Sequence, residues 1–261
     1  MGMFEGKVAL VTGGNRNTGL DIVEKFVREG AKVFMCGSSE ASTAKGAAIL
    51  KERGVEGVVA QACDISDAKQ VEALFDTVER VAGRLDILVN NAANQGLGHG
   101  GPLEATAAQF REVFATNVFG GFQVTQTACN RFFMKQETRG AVVFLSSNTA
   151  QRAIRCRTAY CASKGAINSM VRALALDLGP LGIRVNCCAP GYIYTERWET
   201  LDPAKAKRRR MNCPLRREAK GADIANVVAF LASDASGNMT GEIVTCDAGC
   251  SCQHMPEDVD V

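Results

Sequence analysis

The chain predicts a doubly wound α/β fold, a single domain built on a parallel sheet with helices on both faces. Short apolar runs alternate with longer stretches of helical periodicity along its whole length. The runs are almost continuously apolar, as strands covered on both faces must be. The first run ends in glycines and opens directly into a helical stretch, the strand–turn–helix order of a βαβ unit.

Residues 7–12, Lys-Val-Ala-Leu-Val-Thr, form the first strand, ended by Gly13-Gly14. Residues 18–29 place Leu20, Ile22, Val23, Phe26 and Val27 at helical spacing and stop at Gly30. A strand at 33–36, a helix at 41–53 and a strand at 58–63 follow. The helix at 67–81 turns Val71, Leu74, Phe75, Val78 and Val81 inward. The fourth strand, 85–89, runs into Asn90-Asn91-Ala92-Ala93. A glycine-rich loop, 95–101, leads to a long helical region at 107–135. The fifth strand, 141–147, ends at Ser147. The next helix carries Tyr160, buries Ile167, Met170, Leu174 and Leu178, and stops at Gly179-Pro180. A sixth strand at 183–188, a helix at 223–231 and a strand at 242–245 complete the domain. Between them, 192–217 is polar and strongly basic with Trp198 as its main large apolar residue, so we expect a mobile substrate lid there. No repeat, low-complexity segment or linker divides residues 1–261.

At 261 residues the chain is long enough for one well-buried α/β core. A net charge of +2 gives no bias toward nucleic acid or a membrane surface. No apolar run approaches the 18 or so residues of a membrane span, and residues 1–7 do not read as a signal peptide. The eleven cysteines are scattered, lack any Cys-x-x-Cys and have only His99 and His254 for company. No metal site is expected. The thiols read as reduced and mostly buried, in a cytoplasmic protein.

Chemistry concentrates around the Tyr160 helix. Tyr160 and Lys164 are four apart, one turn on one helix face. A tyrosine is a poor proton donor or acceptor near pH 7, but an adjacent ammonium stabilises its phenolate. So tuned, it acts as general acid/base toward an alcohol or ketone. Ser147 stands at the C-terminal end of its strand, where open α/β sheets bind ligands. The turn Thr12-Gly13-Gly14-Asn15-Arg16-Asn17-Thr18-Gly19 offers backbone N–H groups and a helix N-terminus to a pyrophosphate.

Over essentially its full length the sequence resembles the short-chain dehydrogenase/reductase family. The matching pieces are the Thr12–Gly19 turn, Asp64, Asn90–Ala93, Asn117, Ser147, Tyr160-x-x-x-Lys164, Pro190-Gly191 and Thr195. Two positions depart from the family pattern: Asn17 stands at a glycine of the first turn, and Ala93 at the glycine of Asn-Asn-Ala-Gly. The resemblance implies a Rossmann-type fold and a nicotinamide cofactor. It implies a catalytic set of Asn117, Ser147, Tyr160 and Lys164. Tyr160 exchanges the proton, Ser147 binds the substrate oxygen, and Asn117 holds a relay water. Lys164 lowers the tyrosine pKa and binds the nicotinamide ribose. The implied cofactor set is Gly13, Asn15, Arg16, Asn17, Thr18, Gly19, Ser38, Ser39, Asp64, Ile65, Asn91, Ala92, Tyr160, Lys164, Pro190, Gly191, Ile193 and Thr195. Gly37 stands where an acid would bind the ribose of NAD(H), while Arg16, Ser38 and Ser39 suit a 2′-phosphate. NADP(H) is therefore favoured over NAD(H).

Arginines and lysines at 152–157 and 205–217 suit a small hydroxy or keto substrate with an anionic group. Residues 159–169, 223–226 and 232–237 resemble bacterial bile-acid hydroxysteroid dehydrogenases. A 3-oxoacyl-carrier-protein reductase is the alternative, with Arg131 and Lys135 toward an acidic carrier. A non-catalytic nucleotide-binding sensor is the reading from another class, prompted by Asn17 and Ala93. The family resemblance implies a homotetramer.

Overall fold

The structure is a computed structural model that describes residues 2–254. Its strands are β1 (Val8–Thr12), β2 (Lys32–Gly37), β3 (Val59–Ala62), β4 (Ile87–Asn90), β5 (Ala141–Leu145), β6 (Arg184–Pro190) and β7 (Ile243–Cys246). They form one seven-stranded sheet, ordered β3-β2-β1-β4-β5-β6-β7, in which every neighbouring pair is parallel. The strand order reverses between β1 and β4, which opens a crevice at their C-terminal ends.

The helices are α1 (Thr18–Arg28), α2 (Glu40–Glu52), α3 (Ala68–Ala82), α4 (Ala107–Phe114), α5 (Gly121–Ala128), α6 (Thr158–Leu178), α7 (Glu196–Glu199), α8 (Pro203–Met211) and α9 (Gly221–Ala232). The period-2 alternation of each strand divides its side chains between two cores. Leu10, Phe34, Leu88, Val142, Phe144 and Val185 pack against α3, α5 and α6. Ala9, Val11, Val33, Met35, Val89, Val143 and Leu145 pack against α1, α2 and α9. Local chemistry sets the helix ends: Asp67 accepts from the N–H groups of Lys69 and Gln70 at the start of α3, and Gly83, at φ +66°, ends it.

One expectation needs correction. The helical region at 107–135 is not uniform: π-helical turns at Ala115–Gly120 and Cys129–Phe133 interrupt it. The first widens at Gly120, where a Cβ would lie 2.9 Å from Ile65, so the helix packs closely on the loop after β3. The segment at 192–217 contains α7 and α8 and packs around Trp198, which is only 9% exposed. Tyr194 stacks on that indole, and the Arg209 and Arg210 guanidiniums lie 5.5 and 5.7 Å from its centroid. Cation–π contact absorbs charges that the composition alone would leave to repel one another.

Candidate active site

The β1–α1 turn is shaped by backbone contact. Gly13 has φ +63°, and a Cβ there would fall 2.7 Å from Ala92 Cα; one on Gly19 would fall 2.1 Å from the Gly13 carbonyl. Asn91 Nδ2 donates to the carbonyls of Thr12 and Gly13 at 3.0 and 2.9 Å, and Thr12 Oγ1 accepts from the N–H groups of Asn91 and Ala92. Asn91 therefore acts on the turn itself, tying β4 to it. No side chain caps the first turn of α1, so the cradle fits a dinucleotide pyrophosphate. Ala93 keeps an ordinary negative φ and fits without strain. Asn17 does not, with φ +46° and ψ −134°.

Because Asn17 makes no cap hydrogen bond, glycine loses nothing at that position. Asn17→Gly is expected to raise stability by about 1 kcal/mol, which is about 2–4 °C in thermal midpoint for a chain of this size. A fall in the midpoint on calorimetry would contradict the strain reading.

Arg16 is exposed on the same turn, and Ser38 is exposed beyond β2. Ser39 N-caps α2, its Oγ accepting from Ser42 N at 3.3 Å. Asn15 is buried against two glycines: a Cβ would lie 2.5 Å from its side chain at Gly37 and 2.4 Å from its carbonyl at Gly46. Gly37 thus has a packing reason for lacking a side chain, beyond the charge argument. Asp64 Oδ1 accepts from Ser66 N and Oγ at 3.0 and 2.8 Å, and Ile65 is buried beside Gly120. All these groups lie along the C-terminal edge of the sheet.

Ser147, Tyr160 and Lys164 come together at the same edge. Ser147 is buried at the end of β5, with its hydroxyl close enough to the Tyr160 phenol to act on its titration. Burial pushes the phenol pKa above its ordinary value, only partly opposed by the Ser147 hydroxyl. Lys164 is 3% exposed; its Nζ lies 5.5 Å from the Tyr160 ring centroid and donates to the Leu145 carbonyl at 2.7 Å. The same desolvation lowers its own pKa to about 8. Burial thus sets the direction of the tyrosine shift, against the Ser147 hydroxyl and the Arg157 charge, with the Lys164 ammonium beside the ring.

Asn117 sits in the first π-helical turn. Its Nδ2 donates to the Asn94 carbonyl and to Ser163 Oγ, both at 2.9 Å, and its Oδ1 accepts from Asn94 N at 2.7 Å. Both amide hydrogens are spent, so the side chain is an anchor, with a single lone pair on Oδ1 left for the relay water we expected it to hold. Ser163 passes this link on, donating to the Tyr160 carbonyl at 2.8 Å. Ser163 escaped the sequence reading because one serine in a helix looks like any other; its place one residue before Lys164 was the available signal.

On the far side, Ser147 Oγ lies 3.5 Å from the Pro190 carbonyl. Ala219 N donates to the Tyr192 carbonyl and Tyr194 N to the Ala219 carbonyl, each at 2.8 Å. That bridge leaves the N–H and C=O of Ile193 unused by it. Thr195 precedes α7 without capping it through its side chain. Arg131, read as a docking cation, is instead enclosed by Glu72, Asp76 and Glu79 of α3. Among the described residues, no group of three or more His, Cys, Asp or Glu side chains could hold a metal ion, and no helix is long and apolar enough to cross a membrane.

The family model described as enoyl-(acyl carrier protein) reductase matches residues 14–251. An L-fucose dehydrogenase of Bos taurus is 37% identical over 239 residues, 89% of this chain and 85% of that protein. A 3α-hydroxysteroid dehydrogenase of Mediterraneibacter gnavus is 34% identical over 252 residues, 94% of this chain and 97% of its own. The crystal structure of levodione reductase superposes with a TM-score of 0.87 at 31% identity, covering 96% of this chain and 100% of that one. Fold and site together define a Rossmann-type oxidoreductase that uses a nicotinamide dinucleotide. The chain belongs to the short-chain dehydrogenase/reductase family, as an NAD(P)-dependent dehydrogenase acting on CH–OH donors.

Proposed function

We propose that the protein is an NADP(H)-dependent hydroxysteroid dehydrogenase that interconverts a secondary hydroxyl and a ketone on a bile-acid-like substrate. The carrying observation is the aromatic lid. Tyr192 begins it two residues after Pro190, and Tyr192, Tyr194 and Trp198 form one ring cluster with Arg209 against it. Such a wall suits a rigid apolar ring system with an anionic tail. The relative acting on a 3α-hydroxysteroid supports the reading. The carrier-protein alternative loses support, because Arg131 is already neutralised by three acids.

When bound, a nicotinamide cofactor would supply or receive the hydride. The substrate oxygen lies between the Ser147 hydroxyl and the Tyr160 phenol, which stand close to each other. Tyr160 gives that oxygen a proton in reduction and takes one back in oxidation. Lys164 keeps two of its ammonium hydrogens free of the Leu145 carbonyl for the cofactor ribose, and Asn117, through Ser163, holds the start of α6 in place.

The test is NADPH oxidation with 3-, 7- and 12-oxo bile acids and an acetoacetyl thioester, and NADP+ reduction with bile acids and L-fucose. An oxo bile acid with at least tenfold higher kcat/KM than the thioester, and a bile acid oxidised faster than L-fucose, is expected. Faster turnover of the thioester or the sugar would replace the steroid reading, and nucleotide binding with no turnover on any of them would favour the sensor.

For the cofactor, Arg16→Ala is expected to cut kcat/KM for NADPH about tenfold, as loss of one exposed phosphate contact does, and to leave NADH within twofold. Equal effects on both cofactors would remove Arg16 from the phosphate site.

A further inference from the structure

The chain beyond β7 turns back into the site. Asp247 is 6% exposed, and its carboxylate is fully engaged. Oδ2 accepts from Asn148 Nδ2 at 3.1 Å, from Ser251 N at 2.8 Å and from Ser251 Oγ at 2.6 Å, while Oδ1 accepts from Gly249 N at 3.1 Å. Asn148 directly follows Ser147. On the other flank Asp247 packs on the loop after β6: Gly191 N donates to the Cys246 carbonyl at 3.1 Å, and a Cβ on Gly191 would lie 2.5 Å from Asp247 Cβ. Arg152 repeats the connection, donating to the carbonyls of Cys250 and Gln253. Asp247 thus stands between the two loops, its carboxylate bonded to the one that carries Ser147 and its Cβ packed on the one that starts at Pro190. A buried carboxylate that loses a donor is costly, so its partners are held in register.

We propose that Asp247 is a positioning residue for the reaction: through Asn148 it fixes the loop that carries Ser147, and through Gly191 it fixes the opposing loop after Pro190. The proposal rests on the assignment of Ser147 and Tyr160 given above. Displacing a reacting group by about 1 Å costs up to about a hundredfold in rate, so the effect falls on kcat.

The experiment compares Asn148→Ala, Asp247→Asn and the double variant, with Tyr160→Phe alongside. It uses NADPH and whichever ketone of the panel above turns over fastest. Asp247→Asn keeps the shape but sets an amide donor where an acceptor faced other donors. Each single variant is expected to lower kcat tenfold or more, with KM for the ketone within threefold and faster amide exchange at 148–152. The double variant should fall no further than Asp247→Asn alone. If Asp247→Asn does not fold, Asn148→Ala decides, since it removes one hydrogen bond. Wild-type kcat in Asn148→Ala, multiplicative losses in the double variant, or a lowered melting temperature with kcat unchanged each overturn the proposal. Tyr160→Phe separates the two readings. If it stays active, the acid/base assignment falls; if it is inactive while Asn148→Ala turns over normally, only the positioning role falls.

Discussion

Tyr160→Phe is expected to abolish turnover while cofactor affinity stays within about twofold. The substitution removes only the phenolic oxygen, and the ring keeps its place beside Lys164 Nζ. General acid/base groups contribute about 10²–10⁴-fold in rate. Steady-state kcat at saturating substrate checks it, and retention of more than a tenth of the wild-type value would rule Tyr160 out. A pH dependence accompanies the loss. Burial raises the Tyr160 pKa, so the phenol is protonated at neutral pH, ready to act as an acid in ketone reduction. The base form needed for alcohol oxidation becomes more populated as pH rises. Wild-type oxidation should therefore climb with pH through the alkaline range, and reduction should not.

Lys164→Met should exchange activity for stability. Lys164 is buried with a pKa lowered to about 8 from an ordinary 10.5, because desolvation opposes its charge. Below pH 8 the proton is bound in both states, and the folded protein carries the full cost, about 3 kcal/mol. Between about pH 8 and 10.5 the unfolded chain binds a proton that the folded chain does not, so wild-type stability rises with pH. Methionine removes the charge at similar length, although the Leu145 carbonyl loses its donor at a cost of about 1 kcal/mol. A net gain of about 2 kcal/mol at pH 7 follows. Denaturant unfolding of the cofactor-free proteins at pH 7 and pH 10 measures it: the advantage of the variant should shrink at pH 10. Turnover should drop at least a hundredfold. A variant less stable than wild type at both pH values would contradict the desolvation account.

The order of strands and helices was legible because both periodicities are written in local sequence. The glycine turn, Ser147 and the Tyr160–Lys164 pair were legible because their spacings are short. What stayed hidden depends on groups far apart in the chain. Asp247 meets Asn148 across 99 positions, and Arg131 meets Glu79 across 52. The interruptions at 115–120 and 129–133 leave no composition signal, since their residues suit an ordinary helix. The contacts of Arg209 with Tyr192 and Trp198, and of Arg210 with Trp198, are hidden in the sequence for a related reason, since they depend on how the segment folds. The direction of the Tyr160 shift depends on burial, which the spacing of two residues does not reveal.

The seating of Asn15 against Gly37 and Gly46 couples the glycine turn to the end of β2 and to α2. A Cβ at 37 would lie 2.5 Å from the end of the Asn15 side chain, which must shift before any larger residue fits there. A larger residue at 37 must therefore displace the end of the Asn15 side chain, so a change at either position is felt at the other.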